Sequence, residues 1–252
     1  MDVDNLGSEV AKLDWYHTME LPGGVVTQGK FDHRGVVPLY GFPADLSGKR
    51  VLDVGTFDGF FAFEFEKRGA DEVIAIDLSD REALDWPVPL RQRNVEEFRP
   101  RSTNFELAKQ ALGSRVQHVI CSAYDANPDA LGTFDLVFVG SLLVHLRDPV
   151  RALMALRTVC RGEIQLSEHT QGRFGGIPRN KAVARFEALG PYLTWWVPNR
   201  SCLDQWLLAA GFVDVRRGKT FTVPFRGRRG GIQHSVAHAQ PGPTDPLLGH
   251  ER

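Results

Sequence analysis

The stretch Val51–Asp77, VLDVGTFDGFFAFEFEKRGADEVIAID, constrains the fold of this chain more than any other. Arg50–Val54 is a short apolar, β-branched run between Gly48 and Gly55, too short for a helix and patterned as a buried strand. Gly55 to Gly59 is a glycine turn, Phe60–Arg68 has helical spacing with Phe61 and Phe65 on one face, and Gly69 stops it. Val73–Ile76 is a second strand with Asp77 at its carboxyl end. The sequence therefore spells one βαβ unit, whose right-handed crossover makes the two strands parallel neighbours.

Ligands of an open α/β sheet bind beyond the carboxyl ends of its strands. There Gly55 and Gly59 let backbone come close to a ligand, and the helix start near Asp58–Gly59 offers N–H groups to a carboxylate. Asp77 stands about 20 residues past the turn, the place from which a carboxylate accepts both ribose hydroxyls. Neither G-x-G-x-x-G nor a phosphate loop is present. Acidic Asp53 and Asp58 at the turn suit an α-ammonium and a sulfonium rather than a pyrophosphate, which favours S-adenosylmethionine over a dinucleotide.

The remaining segments extend the pattern. Val116–Cys121, Thr133–Gly140 and Glu163–Ser167 read as third to fifth strands, with a helix over Thr103–Leu112 and another opened by Asp148 as N-cap and Pro149 at N1. Thr56, Leu78, Gly140 and Ser141 fall on the same rim; Tyr124 is placed to flank an adenine, and Asp125 either accepts from its amino group or caps the helix Ala126–Leu131. Ser201, with Asp204 three residues on, reads as the start of a helix ended by Gly211. Phe212–Thr222 and Ile232–Ala239 read as a closing antiparallel pair. Residues 1–48 form an extension long enough to fold over the ligand as a lid, bringing Trp15, Tyr16 and His17 to it, or else to pack on the sheet edge with His17 at the surface. The irregular part, 170–200, carries Phe174, Arg179, Tyr192, Trp195 and Trp196, which make either a substrate wall or an aromatic mini-core. Residues 241–252, rich in proline and glycine, read as a disordered tail after a 49–240 domain.

Composition adds exclusions. A net charge of −1 gives no global attraction to nucleic acid or to an anionic membrane, and no apolar run is long enough to span a bilayer. Cys121, Cys160 and Cys202 lack metal-site spacing and are expected as free thiols, with no metal site and a cytoplasmic location.

The blocks WYHTMELPGG, DVGTFDG, AIDLS, SLLVHLRDP and WWVPNRSCLDQWLLAAGFVDV resemble the class I S-adenosylmethionine-dependent methyltransferases, and among them the branch of the tRNA wobble-uridine carboxymethyltransferases. The resemblance runs from about Trp15 to Ala239. It implies a Rossmann-like α/β fold, a seven-stranded mostly parallel sheet with helices on both faces and the last strand antiparallel. It also implies cofactor contacts at Asp53, Gly55, Asp58, Gly59, Asp77, Asp125 and Gly140. Methyl transfer requires a base only when the acceptor is protonated, and His169, His145 and His17 are the candidates by position. A small-molecule methyltransferase, with a homodimer as one of its states, is the expected function; the alternatives are a tRNA-modifying enzyme, using the cations of Arg216–Arg229, and a cofactor-binding regulator without turnover.

Overall fold

The computed structural model describes residues 3–79, 83–91, 102–189 and 193–243. Helix α1 (Val3–Ala11), the small ribbon β1 (Glu20–Leu21) and β2 (Val25–Val26), and helix α2 (Val37–Tyr40) form an N-terminal layer. The βαβ unit follows as β3 (Arg50–Val54), α3 (Phe60–Lys67) and β4 (Glu72–Asp77). Next come α4 (Val88–Arg91), α5 (Ser102–Leu112), β5 (Gln117–Ile120), α6 (Pro128–Leu131), β6 (Phe134–Gly140), α7 (Pro149–Val159) and β7 (Cys160–His169). A second ribbon, β8 (Ala184–Phe186) with β9 (Trp196–Pro198), precedes α8 (Arg200–Ala209), β10 (Phe212–Pro224) and β11 (Gly231–Pro241).

The main sheet has seven strands in the order β10-β11-β7-β6-β3-β4-β5. Strands β3 to β7 run parallel, and β11 lies antiparallel between β7 and β10. The fold class expected from the sequence is the one observed. Chain order reverses at β3, with β4 on one side and β6 on the other, which opens a crevice at their carboxyl ends.

Alternation along the central strands divides the core in two. Val51, Leu136 and Phe138 join one apolar cluster; Leu52, Val54, Val137 and Val139 join the other. The second is closed by Leu153 and Leu156 of α7 and Leu207 of α8. The first is closed by α3 and the N-terminal layer. Helix α3 buries Phe60 and Phe63 as well as the expected Phe61 and Phe65, because it is wedged among three partners. Phe61 packs on Phe138 of the sheet, Phe63 on Phe105 of α5, and Phe60 on His17 and His33 of the N-terminal layer.

Two helix starts differ from expectation. Helix α8 is capped by Asn199, whose side chain accepts from the Cys202 N–H at 2.9 Å, so Ser201 lies inside it. Helix α6 is capped by Asn127 rather than Asp125. The three cysteines are free thiols. Most of the expected tail, and Tyr192, lie outside the described residues.

Candidate active site

The site is built on the turn after β3. Gly55 (φ 74°) and Gly59 (φ 91°) occupy left-handed backbone; a Cβ at Gly59 would meet the rings of Phe63 and Phe105 at 2.5 and 2.8 Å, so this glycine serves helix packing rather than ligand approach. Between them Phe57 is left-handed too, at φ 54°. Its N–H donates to Asp77 Oδ2 at 2.7 Å, and the Leu78 N–H donates to Asp77 Oδ1 at 2.7 Å. Each oxygen of Asp77 thus takes one backbone donor and keeps acceptor capacity for a ligand. Burial raises the Asp77 pKa, against those two hydrogen bonds.

Beside Asp77 a hollow of about 490 Å³ is lined by Leu78, Ile120, Ser122, Tyr124, Asp125 and Arg151, where the sequence placed the adenine. Ile120, 54% exposed, gives it an apolar wall. Tyr124 is held in place: its O–H donates to Asp85 Oδ2 at 2.7 Å, it accepts from the Asp148 N–H, and Arg151 lies 5.0 Å from its ring. Asp125 is exposed at the lip. Ribose acceptor, apolar wall and aromatic flank fit an adenosine.

Asp53, Thr56 and Asp58 are buried and face inward. The Thr56 hydroxyl donates to Asp53 Oδ2 at 2.7 Å, and burial pushes the Asp53 carboxyl up to about 7. Asp58 is fully buried and bound to the N-terminal segment: its Oδ2 accepts from the Tyr16 and His17 N–H groups at 2.8 and 3.0 Å, and its Oδ1 meets His17 Nδ1. Burial raises its pKa, but the His17 ring and these hydrogen bonds outweigh it and hold the carboxyl below the ordinary range. Asp58 is therefore a clamp for the N-terminal layer, and its side chain is not presented to a ligand.

The same contacts place Trp15 and His17 in the interior, where neither the lid nor the sheet-edge alternative puts them. Trp15 is 1% exposed, with its indole N–H on the Val10 carbonyl at 3.0 Å, and belongs to the core. His17 is buried against Phe60, Phe61 and Asp58, which removes it as a base. Tyr16 packs on Phe57 of the glycine turn, at a ring separation of 4.8 Å.

Past β6, Gly140 is followed by Ser141 at φ 52°. Glu168, wholly buried at the end of β7, accepts the Leu142 and Leu143 N–H groups on Oε1, both at 2.9 Å, and so fixes the turn that presents His145. Burial pushes Glu168 up to about 8. His145 Nδ1 lies 3.1 Å from the Leu193 carbonyl oxygen. A carbonyl only accepts, so the proton sits on Nδ1 and Nε2 keeps its lone pair. Leu193 reaches that position from left-handed backbone, φ 56°. The Trp195 N–H donates to the Val144 carbonyl at 2.7 Å and its indole to the Asp85 carbonyl, so the segment leading into β9 is fastened to the turn after β6. Trp196 and Phe186 pack on each other at 5.2 Å outside it. His169 is half-buried at the end of β7 and near His145. Burial lowers the pKa of both imidazoles, so both are neutral at pH 7.

Phe174 and Arg179 lie on the open stretch before β8, half-buried and exposed respectively. Sequence reasoning missed Glu168 and His234, the latter buried on β11 and directly opposite His169 in the register. Nothing local to either residue signals the pairing. Of the four non-glycine residues with positive φ among those described, Phe57, Ser141 and Leu193 stand at this rim, as strain at functional sites does.

The model of a methyltransferase domain matches residues 37–216. Curated relatives include the tRNA U34 carboxymethyltransferases of Pseudomonas putida (strain W619), 29% identical over 174 residues, and of Azotobacter vinelandii, 29% over 177. Each alignment covers 68% of this chain and 48% of the relative, so the chain spans about half the length of the curated relatives it matches. Among solved structures, the N-terminal domain of EvdMO1, crystallised with S-adenosylhomocysteine and D-fucose, superposes with a TM-score of 0.66 at 19% identity, covering 96% of this chain and 97% of that one. The 1,6-didemethyltoxoflavin-N1-methyltransferase of Burkholderia thailandensis, with bound 1,6-didemethyltoxoflavin and S-adenosylhomocysteine, gives 0.53 at 17%, covering 84% and 80%. With the family model spanning the chain from α2 into β10, this chain belongs to the methyltransferase-domain family, and it is similar in sequence to the tRNA wobble-uridine enzymes.

Proposed function

We propose that the protein transfers a methyl group from S-adenosylmethionine to a small molecule held between the ends of β6 and β7 and the β8–β9 ribbon. The observation that carries this reading is that the chain's own segment leading into β9 is fastened through Leu193 and Trp195 to the His145 turn at the strand ends. Four of the six cations in Arg216–Arg229 that an RNA backbone would need are engaged within the protein. Arg216 pairs with Glu163, Arg217 with Asp204 at 2.7 Å, Arg226 with Gln28, and Arg228 lies over the Phe225 ring at 3.8 Å. The EvdMO1 domain and the Burkholderia enzyme, which share the fold, are crystallised with small molecules.

Asp77 would hold the ribose, and the hollow beside Tyr124 the adenine. When bound, the cofactor supplies an activated methyl on a sulfonium. The chain orients the acceptor and excludes water through Trp195 and the ribbon. His145, its tautomer set by Leu193, accepts the acceptor's proton on Nε2, with His169 beside it.

The test is formation of S-adenosylhomocysteine from S-adenosylmethionine in the presence of a small-molecule metabolite fraction or of bulk tRNA. Turnover with the metabolite fraction is expected. Turnover with tRNA alone, with binding that weakens steeply in salt, would assign the protein to RNA modification. His145→Gln is expected to lower kcat about a hundredfold while leaving S-adenosylhomocysteine affinity unchanged. Because the base acts as a neutral imidazole with a lowered pKa, activity should rise with pH and level off below the ordinary imidazole value. A rate still rising above pH 7.5 would remove His145 from the role.

A further inference from the structure

One carboxylate, Asp85, on the stretch between β4 and α4, is bonded to both halves of the candidate site. Its side chain is only 10% exposed. Oδ2 accepts from the Tyr124 hydroxyl and from the Arg147 N–H, both at 2.7 Å, and the Tyr124 hydroxyl accepts in turn from the Asp148 N–H at 3.0 Å. An amide N–H only donates, so the phenol gives its own proton to Asp85, and the direction of every bond is fixed. Arg147 and Asp148 are consecutive, so these bonds close a ring through Asp85, Tyr124 and the entry of α7. The ring has a second side. The Trp195 indole donates to the Asp85 carbonyl, and the Trp196 indole to the Arg147 carbonyl at 3.1 Å. Both tryptophans thus hang from members of one node, and that node also holds the phenol flanking the hollow. Asp85 is 39, 62 and 110 positions from Tyr124, Arg147 and Trp195, so it joins three distant segments. The Arg147 guanidinium, 3.6 Å from Asp85 Oδ1 and 68% exposed, adds little to it.

We propose that Asp85 is a positioning residue that couples the two halves of the site, so that a cofactor resting on Tyr124 tightens residues 193–196 around the acceptor. This coupling rests on the methyltransferase reading above. Two arrangements differ in affinity for the cofactor. With the ring closed, the Tyr124 side chain is pinned at its hydroxyl and flanks the hollow; with the ring open it is free to turn away, and the adenine loses that wall. Cofactor therefore favours the closed ring, which holds the Asp85 and Arg147 carbonyls where both indoles reach them. Trp195 also donates its backbone N–H to the Val144 carbonyl at 2.7 Å, one residue before His145, and the Leu193 carbonyl faces His145 Nδ1. The segment so tightened is the one that sets the tautomer of His145. By linkage, an acceptor lodged against Trp195 strengthens cofactor binding by the same factor. Asp85 acts on both ligands through Tyr124 and Trp195.

Deuterium exchange of the indole N–H groups, followed by nitrogen–proton NMR of the tryptophan-labelled full chain, reads both tryptophan links. Saturating S-adenosylhomocysteine, its binding confirmed by calorimetry, is expected to slow exchange at Trp195 and Trp196 about tenfold. Tyr124→Phe keeps the ring that flanks the adenine and removes the hydroxyl that closes the node. It should quicken both indoles in the unliganded protein, and bound S-adenosylhomocysteine should no longer slow them. Asp85→Ala should do the same, whereas Asp85→Asn, whose amide oxygen can accept both donors, should restore most of the response. In every variant the backbone amides of β10 and β11 should keep parental rates, which separates the effect from a general loosening. Unchanged indole exchange in the parent at saturation, or a full response in Tyr124→Phe, would overturn the coupling. So would an Asp85→Asn protein that behaves like Asp85→Ala, since the charge rather than the bonded ring would then be responsible. If Asp85→Ala does not fold, Tyr124→Phe gives the same readings. Absence of S-adenosylhomocysteine binding would count against the methyltransferase reading, whereas parental indole exchange in unliganded Tyr124→Phe would count against the node, so the two failures are seen separately.

Discussion

Asp77→Ala is expected to weaken S-adenosylhomocysteine binding at least about a hundredfold, or about 3 kcal/mol, when the two proteins are compared by titration calorimetry. Two effects combine. The substitution removes the acceptor for the ribose hydroxyls, and it releases the Phe57 and Leu78 N–H groups that Asp77 holds at 2.7 Å. Phe57 then loses what keeps it in left-handed backbone, and the turn that meets the cofactor is free to relax. Asp77→Asn keeps one acceptor and should lie between the parent and alanine. An alanine variant binding with parental affinity would show that the ribose sits elsewhere.

The second large effect concerns stability. Asp58→Ala leaves the Tyr16 and His17 N–H groups and His17 Nδ1 without their acceptor in a fully buried place. Breaking a buried pair by removing one partner costs about 3–5 kcal/mol, which for a domain of this size lowers Tm by roughly 10 °C. Calorimetric unfolding checks it; a shift within about 2 °C would mean that the N-terminal layer is held by its apolar contacts alone. The pH dependence has a definite sign. The folded-state pKa of Asp58 is lowered, so its contribution is complete above the ordinary carboxylate value and is lost as pH falls through the lowered one. The parent should therefore lose part of its margin over Asp58→Ala on acidification below that range.

How much was legible in the sequence follows from the distance over which each signal acts. The βαβ unit is local: Gly55, Gly59 and Asp77 punctuate strand, helix and strand within one short stretch, and the expected mostly parallel seven-stranded sheet is built around it. The residues lining the hollow proposed for the adenosine were legible for the same reason, since Leu78, Tyr124 and Asp125 lie within a few positions of the ends of β4 and β5. Asp58 was misjudged because its partners are 41 and 42 positions away, and its place in the glycine turn suggested a ligand instead. His234 and Ser141 are 93 positions apart and meet only because β11 inserts beside β7. Trp15 and His17 looked available because an aromatic-rich extension reads alike whether it covers a ligand or completes a core. The misplaced start of α8 is a closer contest: Asn199 and Ser201 are both good caps, and the one whose oxygen reaches the Cys202 N–H decides.

The N-terminal layer has one more consequence, for the order in which the molecule is completed. It is sealed to Asp58 on one side, and on the other to the far hairpin, where the Asp32 N–H meets the Pro224 carbonyl and Phe31 bridges to Phe225. A ribosome releases Phe31 before the β10–β11 hairpin, yet the surface it bridges to is finished only when that hairpin emerges. The segment made before the sheet thus gains its last contacts, those of Asp32 and Phe31, only after the hairpin that follows the sheet's parallel strands, as a keystone does.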